Sequence, residues 1–267
     1  MTSSEPRLVR GFTLIEVIVS IAIVTVLMSL IVPGLRSVAE SGRSAKCASN
    51  LRQMATAAHA YSVSWKDSYP AAILYKVSTS GMRTIAWDWE QRPDGTVAPG
   101  PLWAFTNTPT EIMQCPSFDG PSTFGNDPAT GYNYNTSFIG AEGQFPLLGP
   151  DGNWIDGWNA ARKGVPVASH RRPSETALFG DGGWKGGANK FMRAPSASVE
   201  GDLGVVYGGG QAFRHRGCAN CVFLDGHVEG WTQCCEGMLA TQPLLHEILG
   251  YGKNGFLTED DSAYDPR

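Results

Sequence analysis

The N-terminal part of the chain contains one long, uninterrupted apolar segment. From Phe12 to Val32 there are 21 residues, and the single charged side chain among them is Glu16. An α-helix of this length is about 31 Å long, which is enough to cross the hydrocarbon core of a bilayer. The segment therefore predicts a transmembrane helix over about residues 12–35.

The pattern changes after Pro33 but stays helical. Apolar residues recur at spacings of three and four, and polar residues occupy the opposite face; the apolar positions are Leu51, Met54, Ala55, Ala58, Tyr61 and Trp65. This predicts one long helix over residues 12–66 whose second half packs on a globular domain. Pro33 and Gly34 predict a gentle break within it.

Beyond residue 70, short apolar runs are separated by Gly, Pro, Asn and Asp. The run from Thr84 to Trp89, followed by Pro93-Asp94-Gly95, is typical of a strand and a turn. The predicted fold class is therefore α+β. A long N-terminal helix, transmembrane in its first half, packs on a mainly antiparallel, loop-rich β domain over residues 67–267.

Composition and charge indicate an exported domain after the anchor. The chain has 42% hydrophobic and 17% charged residues, 32 Gly, 17 Pro and a net charge of −4, which is typical of a loop-rich globular body. Its Arg and Lys residues are scattered, which argues against a nucleic-acid partner. Arg7 and Arg10 precede the apolar segment, so the positive-inside rule places the N terminus in the cytoplasm and the β domain outside the inner membrane.

Glu16 requires a partner, because an acid within a membrane helix costs roughly 2.5 to 3.5 kcal/mol on insertion scales. A cut between Gly11 and Phe12 would create an α-amino group at Phe12. That amine, on a neighbouring subunit, can pair with Glu16 and neutralise both charges as helices pack together.

The sequence Gly11-Phe12-Thr13-Leu14-Ile15-Glu16 after a short basic leader resembles the prepilin signal of type IV pilins and type II secretion pseudopilins. The resemblance implies a leader over residues 1–11, cleavage after Gly11 by a prepilin peptidase, and N-methylation of Phe12. It also implies that Glu16 guides assembly with other pilin-like subunits, and that Pro33 is the proline such helices commonly carry. We therefore expect a structural subunit of a type II secretion or type IV pilus-like system, and not an enzyme.

Two other interpretations use the same segment. A secretory signal peptide has a shorter apolar core of about 7 to 15 residues. An uncleaved anchor would retain Gly11 and present a monomeric extracytoplasmic binding module. Trp154 and Trp158 leave a carbohydrate-binding face open for such a module.

A second resemblance extends over most of the chain. Lys46 to Gln53, Cys115-Pro116-Ser117, Tyr132 to Asn135 and Pro173 to Thr176 resemble a family of prepilin-type proteins known for a C-terminal pattern of His, nine residues and Asp-Gly. His215 and Asp225-Gly226 have this spacing. In that family Cys47 and Cys115 recur together, which implies a disulfide between them.

The Asp-Gly pair predicts a hairpin within residues 213–232. Asp225 and Gly226 suit a two-residue type I′ turn, which would set residues whose numbers sum to 451 opposite each other. His215 would then donate a hydrogen bond to Asp225 and fix the preceding loop. A processing or recognition role and general acid–base catalysis are the other interpretations of this pair.

Six cysteines in an exported domain predict disulfides, with fifteen possible pairings. The predicted hairpin register makes a bridge from Cys218 to Cys234 or Cys235 plausible and leaves Cys235 as the mate of Cys221. The alternative is a zinc site at Cys218 and Cys221, completed by Cys234, Cys235 or His227. Disulfides are favoured outside the cytoplasm, so we expect neither a metal nor another cofactor.

Overall fold

A computed structural model describes residues 11–105, 109–122, 127, 129–141, 147–148, 154–155, 164–198 and 208–267. Arg7, Arg10, Trp158 and the side chain of Trp154 lie outside this description. The chain divides into two compact units, residues 1–42 and residues 43–267.

The dominant element is α1, Leu14–Ser64, a single helix of 51 residues. It continues without interruption through Pro33 and Gly34, so the expected break is wrong. A proline within a helix removes one hydrogen-bond donor and crowds the carbonyl four residues earlier, but α1 continues on both sides of residue 33. After Ser64 the helix ends where Lys66 and Asp67 both adopt positive φ values of 53° and 62°, which a helix cannot accommodate.

The strands of the described residues are short. They are, in chain order, β1 Ile73–Ser78, β2 Gly81–Ala86, β3 Trp89–Gln91, β4 Val97–Pro99, β5 Tyr132–Asn135, β6 Leu147–Leu148, β7 Trp154–Ile155, β8 Ala177–Gly183, β9 Phe191–Met192, β10 Gly210–Ala212, β11 Ala219–Phe223, β12 Val228–Trp231 and β13 Asn254–Gly255. Two short helices, α2 Pro109–Met113 and α3 His246–Leu249, lie between them.

These strands form three sheets. A meander has the order β1-β2-β3-β4, and β6 pairs with β7. The largest sheet has the order β12-β11-β8-β10-β13, with β5 paired to β8 and to β9. All described pairings between named strands are antiparallel except β5 with β9, so the α+β prediction with a mainly antiparallel β domain is confirmed.

The core of the second unit forms on the apolar face of α1. Leu51 and Met54 are fully buried, together with Tyr134 and Phe179 from the large sheet. The rings of Tyr134 and Phe179 stack with centroids 4.9 Å apart. His59 of α1 hydrogen-bonds through Nε2 to the Leu224 carbonyl at 2.8 Å. The C-terminal half of α1 is therefore part of the domain's core.

A buried ion network joins the meander to the large sheet. The Lys190 ammonium lies 2.7 Å from Asp88 Oδ2 and 2.6 Å from Asp127 Oδ2, and all three side chains are almost completely buried. The same ammonium lies over the ring of Trp89, 5.4 Å from its centroid. One lysine thus compensates two carboxylates in the interior.

Candidate functional site

The start of α1 is built as a capping box. Thr13, just before the helix, donates its backbone N–H and its hydroxyl to Glu16 Oε2, both at 2.8 Å. The Glu16 N–H returns a bond of 3.3 Å to Thr13 Oγ1. These bonds satisfy donors that a helix N terminus otherwise leaves free. Glu16 therefore has a local role in the uncut chain that the sequence analysis did not include.

The residues around the predicted cleavage position are open. Residues 11–13 precede the helix, and Phe12 is 87% exposed. Apart from its chain neighbours, no described residue has an atom within 4 Å of the position that a Cβ on Gly11 would occupy. A peptidase can therefore reach the Gly11–Phe12 bond without unfolding any described element.

The apolar side chains in the first half of α1 pack against no other described part of residues 1–42. Leu14 is 79% exposed and Leu30 is 73% exposed. By length and composition, α1 is able to cross a membrane. A helix with apolar side chains on all sides is stable only where lipid or other helices surround it.

A second cluster of chemically active side chains lies deep in the β domain. Cys47 belongs to the buried stripe of α1 that also contains Leu51 and Met54. Cys115 follows α2, Asp181 lies in β8, and His215 lies between β10 and β11. Four separate segments therefore deliver two thiols, a carboxylate and an imidazole to one place.

The four side chains are close and fully enclosed. Their ligand atoms all lie within 4.8 Å of one another, and all four residues are buried. Cys47 Sγ lies 3.1 Å from Asp181 Oδ1, and Cys115 Sγ lies 3.8 Å from the same oxygen. His215 Nε2 lies 3.4 Å from Asp181 Oδ2 and 3.9 Å from Cys115 Sγ.

This environment shifts the ionisation of the cluster. Burial raises the pKa of Cys47 far above its ordinary value, whereas the hydrogen bond from Cys47 lowers the pKa of Cys115 to about 6. Burial alone would lower the pKa of His215, but its hydrogen bonds with Asp181 and Cys115 raise that pKa to about 10. Cys115 is therefore the thiol that ionises more readily, and shifts of this kind mark candidate functional sites.

The surroundings hold the cluster in place. The Asn220 N–H donates to Asp181 Oδ2 at 2.8 Å. Gly131, at a φ of +106°, passes so close that a Cβ there would lie 2.4 Å from the Cys115 Cβ. Arg214 donates to the Gly182 carbonyl, and its charge lowers the pKa of Cys115.

The predicted bond between His215 and Asp225 is wrong. His215 pairs with Asp181, whereas Asp225 Oδ1 accepts hydrogen bonds from the His227 N–H at 3.0 Å and from its ring at 2.5 Å. His215 and Asp225 are thus brought to different places, one buried and one at the surface. Sequence spacing alone does not show which strand lies beside a loop residue.

The predicted turn type at Asp225-Gly226 is also wrong. Only Gly226 has a positive φ, +89°, and the Gly226 N–H donates to the Phe223 carbonyl at 2.9 Å. This geometry is a three-residue loop with a bulge, which shifts the register so that Cys221 faces Glu229. The type I′ geometry occurs instead at Arg216 and Gly217, with φ values of 57° and 86°, and directly follows His215.

The described part of the structure contains none of the predicted disulfides. Cys47, Cys115 and the other four cysteines are all free thiols. The hairpin pairing of Cys218 with Cys234 or Cys235 rested on the wrong register. The Cys221 thiol donates to the side-chain oxygen Oε1 of Gln211 at 3.9 Å, and the Cys235 thiol donates to the backbone carbonyl of Leu257 at 3.6 Å. Within the described ranges, metal-ligand side chains cluster at Cys47, Cys115, Asp181 and His215 and not at the pair Cys218 and Cys221.

Asp181 is the site residue that the sequence analysis missed. A usable signal was present, because Asp181 follows the apolar run Ala177-Leu178-Phe179 and is flanked by Gly180 and Gly182. A charged residue within such a buried strand requires partners.

Comparison with known proteins gives one match, at the N terminus. Residues 6–32 match the family model described as the prokaryotic N-terminal methylation motif. No curated protein and no solved structure matches the chain. With the open Gly11–Phe12 bond and the uncovered apolar helix, the matched segment supports the assignment of the chain as a prepilin-type, pilin-like precursor anchored to a membrane near its N terminus.

Proposed function

We propose that the chain is a pilin-like structural subunit that a prepilin peptidase cleaves after Gly11. The mature protein then assembles with other pilin-like subunits in a type II secretion or type IV pilus-like system. The observation that carries this proposal is the methylation motif over residues 6–32, and the proteins that carry this motif are structural subunits.

The accessible cleavage position supports processing. Gly11 and Phe12 stand outside the helix, and neither packs against a described side chain that cleavage would have to displace. Arg7 and Arg10 keep the leader in the cytoplasm. Processing therefore occurs at the inner membrane, with residues 67–267 on the extracytoplasmic side.

The exposed apolar half of α1 supports assembly. Lipid covers this surface before assembly, and helices of neighbouring subunits cover it afterwards. Glu16 is the single charge on that surface. An α-amino group at Phe12 of the next subunit neutralises it and sets the register between subunits.

The deciding experiment is mass spectrometry of the N-terminal peptide from membrane-extracted protein. We expect wild type to begin at N-methylated Phe12. Gly11→Val should abolish the cut, because the added side chain meets no neighbour in the chain itself and acts only on the peptidase. Gly42→Ala, in the exposed part of α1, is the matched control and should be cleaved normally.

A wild-type protein that begins near Met1 would contradict the proposal. That outcome would favour a membrane-anchored extracytoplasmic binding module, which keeps its leader and remains monomeric. Normal cleavage of Gly11→Val would show that the processing position is wrong.

A further inference from the structure

Four ligand groups, namely two thiols, a carboxylate and an imidazole, lie together at one buried place. Neither pilin assembly nor the packing of the β core requires this arrangement. A disulfide between Cys47 and Cys115 needs only the two sulfur atoms, about 2.05 Å apart. Such a bridge would not explain why the Asp181 carboxylate and the His215 imidazole are buried beside it. The arrangement needs an explanation that includes all four side chains.

The spacing of the four groups fits a small tetrahedral metal ion. Zinc–ligand bonds of about 2.0 to 2.3 Å place neighbouring ligand atoms about 3.3 to 3.8 Å apart. The separations of 3.1 Å from Cys47 Sγ and 3.8 Å from Cys115 Sγ to Asp181 Oδ1, and of 3.9 Å between Cys115 Sγ and His215 Nε2, lie near this range. All four ligand atoms lie within 4.8 Å of one another, so binding one ion requires the side chains to draw closer together.

We propose that Cys47, Cys115, Asp181 and His215 bind one Zn²⁺ as a structural site. Two thiolates, one imidazole and one carboxylate form a donor set that suits tetrahedral zinc. In the bound state both cysteines are thiolates and His215 is the neutral imidazole, so the protons that these groups carry beforehand are released to solvent. With four protein ligands the coordination shell is closed, which is the form of a structural and not a catalytic site.

The charge around the site is balanced by a neighbouring residue. Two thiolates and one carboxylate contribute −3, and Zn²⁺ leaves the centre at −1. The guanidinium of Arg214 lies close enough to act on Cys115 and packs over the Phe118 ring at 4.5 Å. Arg214 Nη1 is buried and has no hydrogen-bond partner in the described structure, so its charge is available to the centre.

The ligands are also oriented by their neighbours, as metal ligands require. The Asn220 N–H holds Asp181 Oδ2 and leaves Oδ1 directed at the two sulfur atoms. The tight turn at Arg216 and Gly217 fixes His215 through reciprocal backbone bonds of 3.0 and 3.1 Å between His215 and Cys218.

A cavity borders the cluster on the Cys115 side. It has a volume of about 540 Å³, lies beside α2 and is lined by Cys115, Phe118, Asp119 and Asp127 among others. Cys115 itself is only 1% exposed. Cys115 is therefore the ligand of the proposed site that adjoins this cavity.

The test is metal analysis of the full-length protein, extracted from membranes in detergent without chelator or reductant. We expect about one zinc per chain by inductively coupled plasma mass spectrometry. After denaturation with a chelator, all six cysteines should react with iodoacetamide. Replacement of zinc by Co²⁺ should give the visible bands of a tetrahedral centre with sulfur-to-metal charge transfer.

Variants locate the ligands. Cys115→Ser and Asp181→Asn should each lower the zinc content at least tenfold, whereas Cys234→Ser, which removes an exposed thiol outside the cluster, should leave it unchanged. If a ligand variant does not fold, the wild-type zinc content and thiol count still decide the question.

Three outcomes overturn the proposal. A zinc-free wild type with two unreactive cysteines at positions 47 and 115 shows a disulfide instead. Zinc retained in Cys115→Ser but lost in Cys221→Ser places the ion at the other cysteine pair. A wild type with free thiols and no zinc, even after addition of Zn²⁺, shows that the cluster binds no metal. Each result is independent of whether Gly11 is cleaved.

Discussion

The Glu16 carboxylate has two roles. In the chain as described, it caps its own helix through Thr13, and in the proposed assembly it pairs with an amine from a neighbour. A carboxylate has about four acceptor positions, so both interactions can be made by one side chain. The two roles are separable, because only the first depends on Thr13.

We predict that Glu16→Ala is cleaved and methylated normally but assembles poorly, because an unpaired amine then remains in the apolar helix bundle. Thr13→Ala is the matched control: it removes the two hydrogen bonds of the Thr13 hydroxyl, at a cost of about 1 kcal/mol, and keeps the backbone N–H bond and the carboxylate. The fraction of mature subunit in sheared filaments or crosslinked oligomers measures the effect. Equal loss in both variants, or normal assembly of Glu16→Ala, would refute the pairing.

At the scale of elements, the hairpin between β11 and β12 shows how one backbone angle sets a register. Gly226 has a φ of +89°, and no atom lies within 4 Å of the position a Cβ would take. Any cost of adding a side chain there is therefore conformational and not steric.

We predict that Gly226→Ala lowers the free energy of unfolding by about 1 to 2 kcal/mol, the cost of a left-handed L-residue. Gly230→Ala, in β12 and without positive φ, is the control and should change it by less than about 0.5 kcal/mol. Urea midpoints of the detergent-solubilised protein give both values. A harmless Gly226→Ala would show that the loop relaxes to another turn type.

The same hairpin shows what the sequence can and cannot predict. The long helix was predictable, because its apolar pattern extends over some fifty residues. The Asp225-Gly226 pair correctly indicated a turn, but the dipeptide suits both a two-residue turn and a three-residue loop with a bulge. Neighbouring strands decide between them, and a shift of one residue in register changed the positions opposite Cys218 and Cys221 on which their predicted pairings rested.

The metal-ligand cluster was predictable only in part, for the same reason. Cys47 and Cys115 were identified together, as the two halves of a disulfide that the resemblance implies, and His215 was identified from its spacing to Asp225-Gly226, with Asp225 as its partner. Asp181 joins the cluster because β8 pairs with β11 and β5, and no local sequence pattern reveals these strand pairings. Local signals identified candidate residues, and long-range sheet topology selected which of them meet.

At the scale of the whole molecule, the buried ion network of Lys190 connects the meander β1-β2-β3-β4 to the large sheet. Removal of one partner from a buried ion network leaves uncompensated charge and costs about 3 to 5 kcal/mol. Here Asp88 and Asp127 would both lose their cation.

We predict that Lys190→Met destabilises the protein by this amount or abolishes folding. Lys185→Met is the control, because Lys185 pairs with Glu247 at 3.1 Å with both side chains about 40% exposed, and such pairs contribute at most about 1 kcal/mol. Thermal unfolding followed by circular dichroism distinguishes them. Similar melting temperatures for the two variants would show that the domain tolerates the two buried acids without their lysine.

The four cluster residues are also far apart along the chain, from Cys47 near the start of the domain to His215 near its end. A polypeptide that crosses a membrane from its N-terminal side presents Cys47 first and His215 last. The complete donor set exists only after nearly the whole domain has emerged and β8, β10 and β11 have come together. In the topology proposed above, closure of the proposed zinc centre would therefore be a late event in biogenesis, and until then Cys47 and Cys115 would be open to oxidation and to folding factors on the far side of the membrane.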